Sequence, residues 1–296
     1  MLVVPAYAKV NLALEVLGRG ADGWHEISTV IVGIDWHDLV GVTLRRRDGV
    51  PVRLHLCGEA ATAVPADEHN LAARAAAGLL ETTGGDGPGL DVWLCKRIPA
   101  AAGLGGGSAD AAAVLRAGGA ALAASGLPVP PARLMETAAC LGSDVPALLA
   151  GGAVLARGRG TRLERLGDAP LHLAVAMAGE CSTAGAYRAL EDRERHGDGR
   201  VERLVAALGS GVAPVDEDCG SALEAGARRS SPSLASSLDH LRSAVSQRRW
   251  HLTGSGGAAF ALAADAAECA RLAGAAASAG FPSRACRTVA AESAPP

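Results

Sequence analysis

Residues 99–113 read Pro-Ala-Ala-Ala-Gly-Leu-Gly-Gly-Gly-Ser-Ala-Asp-Ala-Ala-Ala. The alternating apolar residues Leu90, Val92 and Leu94 before them predict a strand, and the alanine-rich run over 109–124 predicts a helix. The stretch between is a glycine-dense turn at a helix N-terminus. There the first backbone N–H groups have no intrahelical partner and partial positive charge accumulates. Such a turn is a ready anion site, and phosphate is the usual anion. Gly103, Gly105, Gly106 and Gly107 let the backbone wrap a ligand with no Cβ in the way. Ser108 adds a hydroxyl, and Asp110 a carboxylate whose expected task is to cap the helix. No Lys follows the last glycine, so this is not a Walker A loop. Ser108 stands where a dinucleotide fingerprint needs its third glycine. Glycine count alone leaves two readings open, a phosphate cradle and a tight strand-to-helix turn.

The whole string is more specific. Pro99-x-x-x-Gly103-Leu104-Gly105, followed by Gly107-Ser108 and a small-residue helix, resembles the phosphate loop of the galactokinase, homoserine kinase, mevalonate kinase and phosphomevalonate kinase superfamily, the GHMP kinases. The fuller Ala-Gly-Leu-Gly-Gly-Gly-Ser-x-Asp-Ala-Ala resembles the 4-diphosphocytidyl-2-C-methylerythritol kinase branch. Further matches keep their order along the chain: Ala8-Lys9-Val10-Asn11-Leu12, Asp22-Gly23-Trp24-His25-Glu26, Asn70-Leu71, Lys96-x-Ile98-Pro99, Leu141-Gly142-Ser143-Asp144-Val145-Pro146, Gly151-Gly152, Gly158-Arg159-Gly160, Ser182-Thr183-x-x-x-Tyr187, and Thr253-Gly254-Ser255-Gly256 with Phe260.

The resemblance implies a two-lobed α+β GHMP kinase fold with the active site in the cleft between the lobes. It implies ATP as co-substrate, with Mg²⁺. Lys9 and Asn11 are placed beside the reacting hydroxyl, and Asp144 is the catalytic acid-base residue. Asn70, Lys96, Pro99 and the loop Gly103, Leu104, Gly105, Gly106, Gly107 and Ser108 lie near the nucleotide. Trp24 and His25 help to hold a cytosine, and Thr183 and Tyr187 belong to the segment whose aromatic packs on its other face. Trp24 departs from the Tyr usual in the branch.

The chemistry needs these residue types. Moving a γ-phosphoryl group takes positioning and charge neutralisation more than covalent work. Asp144 follows the helix break at Gly142, where Ser143 is expected to cap the next turn and the carboxylate stays ionised. Lys9 can pair with it and offset charge on the moving phosphoryl group. Ser108 is the loop residue best placed to touch Mg²⁺, an ion that keeps several waters and needs few protein ligands. Taken singly, Asp144 reads as an ordinary helix-start acid, Lys9 as an edge lysine and His25 as a loop histidine. Their occurrence together with the glycine loop favours the functional reading. Asp35-Trp36-His37-Asp38 is read as a strand end, since alternation sends neighbours to opposite faces.

The chain has 296 residues, 49% of them hydrophobic, enough for a large core and one or two domains. A net charge of −3 offers no field for nucleic acid or an anionic membrane. Arg45-Arg46-Arg47 reads as a solvated strand end. The seven cysteines form no C-x-x-C pair and no zinc spacing. Their scatter predicts reduced, mostly buried thiols in a cytoplasmic protein. The first residues lack a signal peptide's basic and apolar regions, and no run reaches membrane-span length.

Strands mixed with helices without strict alternation argue α+β. The expected organisation is a loop-bearing domain over 1–155, a second over 156–289 and a frayed tail over 290–296. The expected partner is a small cytidine diphosphate compound, with the protein a monomer or homodimer. Two other functions compete. One is a related kinase of a sugar, mevalonate-like alcohol or homoserine, against which the triple glycine and the Trp24-His25 and Tyr187 segments argue. The other is a silent nucleotide-binding protein, against which Lys9 and Asp144 together argue.

Overall fold

A computed structural model describes residues 1–20, 23–84, 87–168, 170–195 and 197–291. In chain order the elements are β1 (Leu2–Arg19), β2 (His25–Arg45), β3 (Val52–Cys57), α1 (Leu71–Glu81), β4 (Gly89–Cys95), α2 (Gly106–Ala124), α3 (Pro131–Leu141), α4 (Val145–Ala150), β5 (Ala153–Gly158) and β6 (Arg162–Gly167). Then come β7 (His172–Met177), α5 (Thr183–Arg188), α6 (Arg200–Gly209), β8 (Gly220–Ser221), α7 (Glu224–Ser230), α8 (Pro232–Ala244), β9 (His251–Leu252), β10 (Ala258–Ala263), α9 (Ala266–Ser278) and β11 (Ser283–Arg287).

The frame is the long antiparallel hairpin β1–β2, which changes register at Tyr7/Ala8, Asn11/Ala13 and Val16/Gly18. Such bulges add twist and re-aim side chains. The far edge of β2 pairs with β4 over Leu39–Arg45 and with β5 over Ile27–Val32, so one strand organises two parts of a seven-stranded sheet. A second sheet, in the order β11-β7-β10-β9, has four strands.

Alternation along the strands explains the packing. Val40, Val42, Val92 and Leu94 join the alanines and leucines of α1 and α2 in one core. Val10, Leu12, Val30 and Val32 meet Leu173, Val175 and Phe260 between the two sheets. Ala174, Ala176, Ala259 and Ala261, one position out of phase, pack with Leu234, Leu238, Leu241, Leu272 and Trp250 beneath α8 and α9. Period-two patterning thus gives the second sheet two buried faces.

Several expectations change. The helix expected from residue 109 begins at Gly106, so the last loop glycines form its first turn. Asp35–Asp38 lies inside β2, not at a strand end. Only Cys219, Cys269 and Cys286 are buried, and all seven cysteines are free; Cys57, at the end of β3, and Cys140, in the last turn of α3, are exposed. The expected division at 155/156 falls within β5, and β6 beyond it pairs with β5 in the first sheet. In the expected frayed tail, Ala291 N–H donates to Asp168 Oδ1 at 3.1 Å, and 292–296 lie outside the described residues. Asp22 and Gly85 also lie outside them.

Candidate active site

A cleft of about 660 Å³ opens between β1 and β2 on one side and α5, Leu223 and the 254–255 turn on the other. Lys9 and Asn11, 4% and 3% exposed, stand on β1 at its floor. Lys9 Nζ donates to Asn11 Oδ1 at 2.7 Å and lies 3.5 Å from Asp144 Oδ2. Asn11 Nδ2 donates to Thr29 Oγ1 at 2.9 Å, and that hydroxyl donates to the Ala13 carbonyl at 2.7 Å. The chain of bonds fixes the amide so that its oxygen faces the lysine.

The glycine loop is fastened from two sides. Lys9 N–H donates to the Leu104 carbonyl at 2.9 Å, tying the loop to β1. A Cβ on Gly103, at φ +73°, would stand 2.4 Å from the Gly256 carbonyl oxygen. The two glycine motifs therefore pack backbone to backbone, and only glycine fits. Gly105, at φ +70°, precedes α2, and a Cβ there would meet Lys9 Cγ at 2.9 Å. The second turn is held by Thr253, whose Oγ1 accepts the Asn11 N–H at 2.9 Å, and by Ser221, whose hydroxyl donates to the Gly254 carbonyl at 2.6 Å. Ser221 is brought there by parallel pairing of β8 with Ala13–Leu14 of β1.

Asp144 precedes α4 in helical conformation and makes no side-chain cap, and neither does Ser143. Its carboxylate is therefore turned to Lys9 instead of to the helix. At the cleft mouth the His25 and Tyr187 rings stack with centroids 4.7 Å apart and planes at 27°. Burial, with Arg195 and Arg19 adding, holds His25 below its ordinary value. Its buried Nε2 has no hydrogen-bond partner among the described residues. Burial pushes the Tyr187 phenol up to about 12, and the Asp144 charge adds to it. Thr183 and Ser255 share a hydroxyl hydrogen bond of 2.7 Å across the cleft.

Of the residues singled out in the sequence, Lys9, Asn11, Trp24, His25, Gly103, Gly105, Ser108, Asp144, Thr183 and Tyr187 line this cleft. Asn70, Lys96, Pro99, Leu104, Gly106 and Gly107 do not. Asn70 caps α1, accepting the Ala72 N–H at 3.0 Å. Leu104 is buried beneath the loop. A Cβ on Gly106 would face Ile98 Cγ2 at 3.1 Å, toward the core.

Lys96, 1% exposed, is locked between carboxylates. Its Nζ donates to Asp38 Oδ2 and, at 2.5 Å, to Asp110 Oδ2. Asp38 Oδ1 accepts from the N–H groups of Arg97 and Ile98, the latter at 2.8 Å. The expected nucleotide lysine is thus a buried brace between β2, the strand before the loop and α2. Asp110 makes no cap; its Oδ2 accepts from Lys96 within that brace, and its buried Oδ1 has no hydrogen-bond partner among the described residues. Burial raises it to about 7 against the pull of Lys96, with Asp38 adding to the rise.

Reading the sequence missed Asp38, Thr29, Ser221 and Arg159 as parts of this assembly. An acid within the apolar run of β2 was the available signal for Asp38. Thr29 and Ser221 carry none, because their roles come from pairing distant in sequence.

A larger hollow of about 800 Å³ lies behind β8 and β9. Of the arginines lining it, Arg200, Arg228, Arg242 and Arg248 pair with Asp198, Asp239, Glu224 and Glu268, and it holds none of the Lys9–Asp144 cluster.

Residues 70–152 match the family of GHMP kinases N terminal domains. The 4-diphosphocytidyl-2-C-methyl-D-erythritol kinase of Deinococcus radiodurans is 39% identical over 269 residues, covering 89% of this chain and 84% of that protein. Its counterpart in Pelotomaculum thermopropionicum is 42% identical over 264 residues, 88% of each. A crystal structure of 4-(cytidine 5'-diphospho)-2C-methyl-D-erythritol kinase matches with a TM-score of 0.79 and 35% identity, over 97% of this chain and 99% of that one. Homoserine kinase from Cytophaga hutchinsonii shares the fold, with a TM-score of 0.66 and 21% identity over 96% and 94% of the two chains. On these matches the chain belongs to the 4-diphosphocytidyl-2-C-methyl-D-erythritol kinase family of the GHMP kinases.

Proposed function

We propose that this kinase transfers the γ-phosphoryl group of ATP to the 2-hydroxyl of 4-diphosphocytidyl-2-C-methyl-D-erythritol, in the non-mevalonate route to isoprenoid precursors. The observation that carries the reading is the buried Lys9 ammonium, held between Asn11 and Asp144 at the foot of the glycine loop. In this reading the loop amides and the start of α2 cradle the nucleotide phosphates. Asp144 orients the acceptor hydroxyl and takes its proton as the new P–O bond forms. Lys9 offsets the charge spread over the transferring group, and Asn11 fixes where Lys9 points. Mg²⁺ on the phosphates would be touched by the Ser108 hydroxyl, which lines the cleft, and would neutralise phosphate charge. Trp24, His25, whose buried Nε2 has no hydrogen-bond partner among the described residues, and Tyr187 receive the cytosine.

The division into a loop-bearing domain and a second domain, with the cleft between them, is part of the same proposal. So are a cytoplasmic location and a monomeric or homodimeric state. Seven free cysteines support the location, and no described helix is long and apolar enough to cross a membrane. Incubation of the purified protein with ATP, Mg²⁺ and the diphosphocytidyl acceptor should give ADP and an acceptor heavier by one phosphate, phosphorylated at the 2-hydroxyl by phosphorus–proton correlation. ADP release without a phosphorylated acceptor would contradict the reading.

A further inference from the structure

The hollow of about 800 Å³ behind β8 and β9 is walled by guanidinium groups that no step of the proposed reaction uses. The ion pairs around it leave donors over. Arg200 donates to Asp198 from Nε and Nη2, and Arg248 donates to Glu268 from the same two nitrogens. The Nη1 groups of both have no hydrogen-bond partner among the described residues. Arg228 donates to Asp239 from Nη2, and its Nη1 is buried without a partner among the described residues. A Cβ on Gly220, at φ +117°, would stand 3.2 Å from Arg200 Nη1, so the glycine leaves that nitrogen open space on the floor of the hollow. The acids lining the hollow are engaged in turn, Glu194 with Arg229 and Glu224 with Arg242.

Arg249 brings charge beyond these pairs. It lines the hollow, is exposed, and makes no hydrogen bond or ion pair with a described residue. Its charge is felt inside. Burial holds the His251 imidazole below its ordinary value, and Arg249 adds to the drop against the pull of Asp216. A guanidinium presents its N–H groups in a planar fork that fits phosphate oxygens. Donors left over on Arg200, Arg228, Arg248 and Arg249, around a space of this size, suit a diphosphate better than a lone carboxylate. The hollow is also separate from the cleft, with β8 as the wall between them. Ser221 lines the hollow, and its hydroxyl donates to the Gly254 carbonyl of the cleft turn at 2.6 Å.

We propose that this hollow is a second anion site, which binds a diphosphate, free or as an ester, apart from the catalytic cleft. Arg249 supplies the unpaired charge, and Arg200 Nη1 supplies a donor held open by Gly220. The site is independent of which acceptor the kinase uses.

The test separates the hollow from the cleft. With the ATP site saturated by adenylyl imidodiphosphate, pyrophosphate, methyl diphosphate and inorganic phosphate are titrated calorimetrically into the parent protein, Arg249→Met, Ser246→Glu and Lys9→Met. Ser246 is exposed and lines the hollow, so a glutamate there sets negative charge against the ligand while the arginines stay in place. The parent protein should bind a diphosphate at least about tenfold more tightly than phosphate, and the tighter of the two diphosphates shows whether the free or the esterified form is preferred. Arg249→Met and Ser246→Glu should each lose about ten- to a hundredfold in that affinity, the range of a charge-assisted hydrogen bond, with thermal melts like the parent's. Lys9→Met, altered in the catalytic cleft, should keep it within about twofold, as expected for an independent site. A parent protein that binds no diphosphate, or binds it no better than phosphate, overturns the proposal. So does undiminished affinity in either hollow variant. A loss in Lys9→Met as large as in the hollow variants overturns it too, because the anion then sits in the catalytic cleft.

Discussion

Lys9 serves the loop through its backbone and the cleft through its side chain. Its N–H fixes Leu104, while Nζ is aimed by Asn11 at Asp144. Neighbouring residues of a strand point to opposite faces, so Lys9 and Asn11, two apart, share one face and Val10 points into the core between the sheets. Asp144 lacks a capping bond, so replacing its carboxylate should not cost α4 its start. Asp144→Asn should therefore fold normally and bind ATP as before, while turnover at saturating substrate falls by at least about a hundredfold, as expected for loss of a general base. Steady-state kinetics beside a thermal melt check this, and near-normal turnover would remove Asp144 from the chemistry.

The loop is held by elements that the loop itself does not reveal. Asp38 on β2, Lys96 after β4 and Asp110 on α2 join three elements through one ammonium group. Lys96→Met leaves two buried carboxylates without their counter-charge, which should cost about 3–5 kcal/mol of stability. The loss depends on pH in a definite sense. A buried carboxyl whose folded value is raised above its unfolded one is most stabilising when protonated, and its contribution is lost as pH rises from the unfolded value through the folded one. Asp110 already sits at about 7 with Lys96 opposing the rise, and without Lys96 it must go higher. Urea denaturation should thus show a larger deficit for Lys96→Met at pH 8 than at pH 5.5, and an equal or absent deficit would refute the brace.

The same elements show how far the sequence could be read. The strand before the loop and α2 were legible from alternation and a small-residue run. The two-residue β8 was not, because its strand character comes only from pairing with β1. The exposed alternation of β6 carried too little apolar signal, as its burial pattern shows. Most of the cleft was legible through its motifs. For Lys96 the motif gives a position along the chain and not the carboxylates that capture its ammonium group.

The molecule places Lys9, Asn11 and Asp144 on one half of the chain and lines the facing side of the cleft with the other. The hairpin β1–β2 and the glycine loop supply Lys9, Asn11, Gly103, Gly105 and Ser108, while α5 and the 254–255 turn complete the cleft. Between them, β8 on β1 and Ser221 on Gly254 fix the second half against the first. In such a cleft the cytidine lies remote from the reacting hydroxyl, and its binding energy can be used to position that hydroxyl. Losing the nucleotide should then lower turnover as well as affinity. The most direct test compares catalytic efficiency with ATP on 4-diphosphocytidyl-2-C-methyl-D-erythritol and on methylerythritol phosphate lacking the nucleotide. Base stacking alone contributes roughly 1–3 kcal/mol, so the account predicts a preference for the cytidyl acceptor of at least about tenfold to a hundredfold, divided between kcat and KM. Equal efficiency on the two acceptors would contradict it.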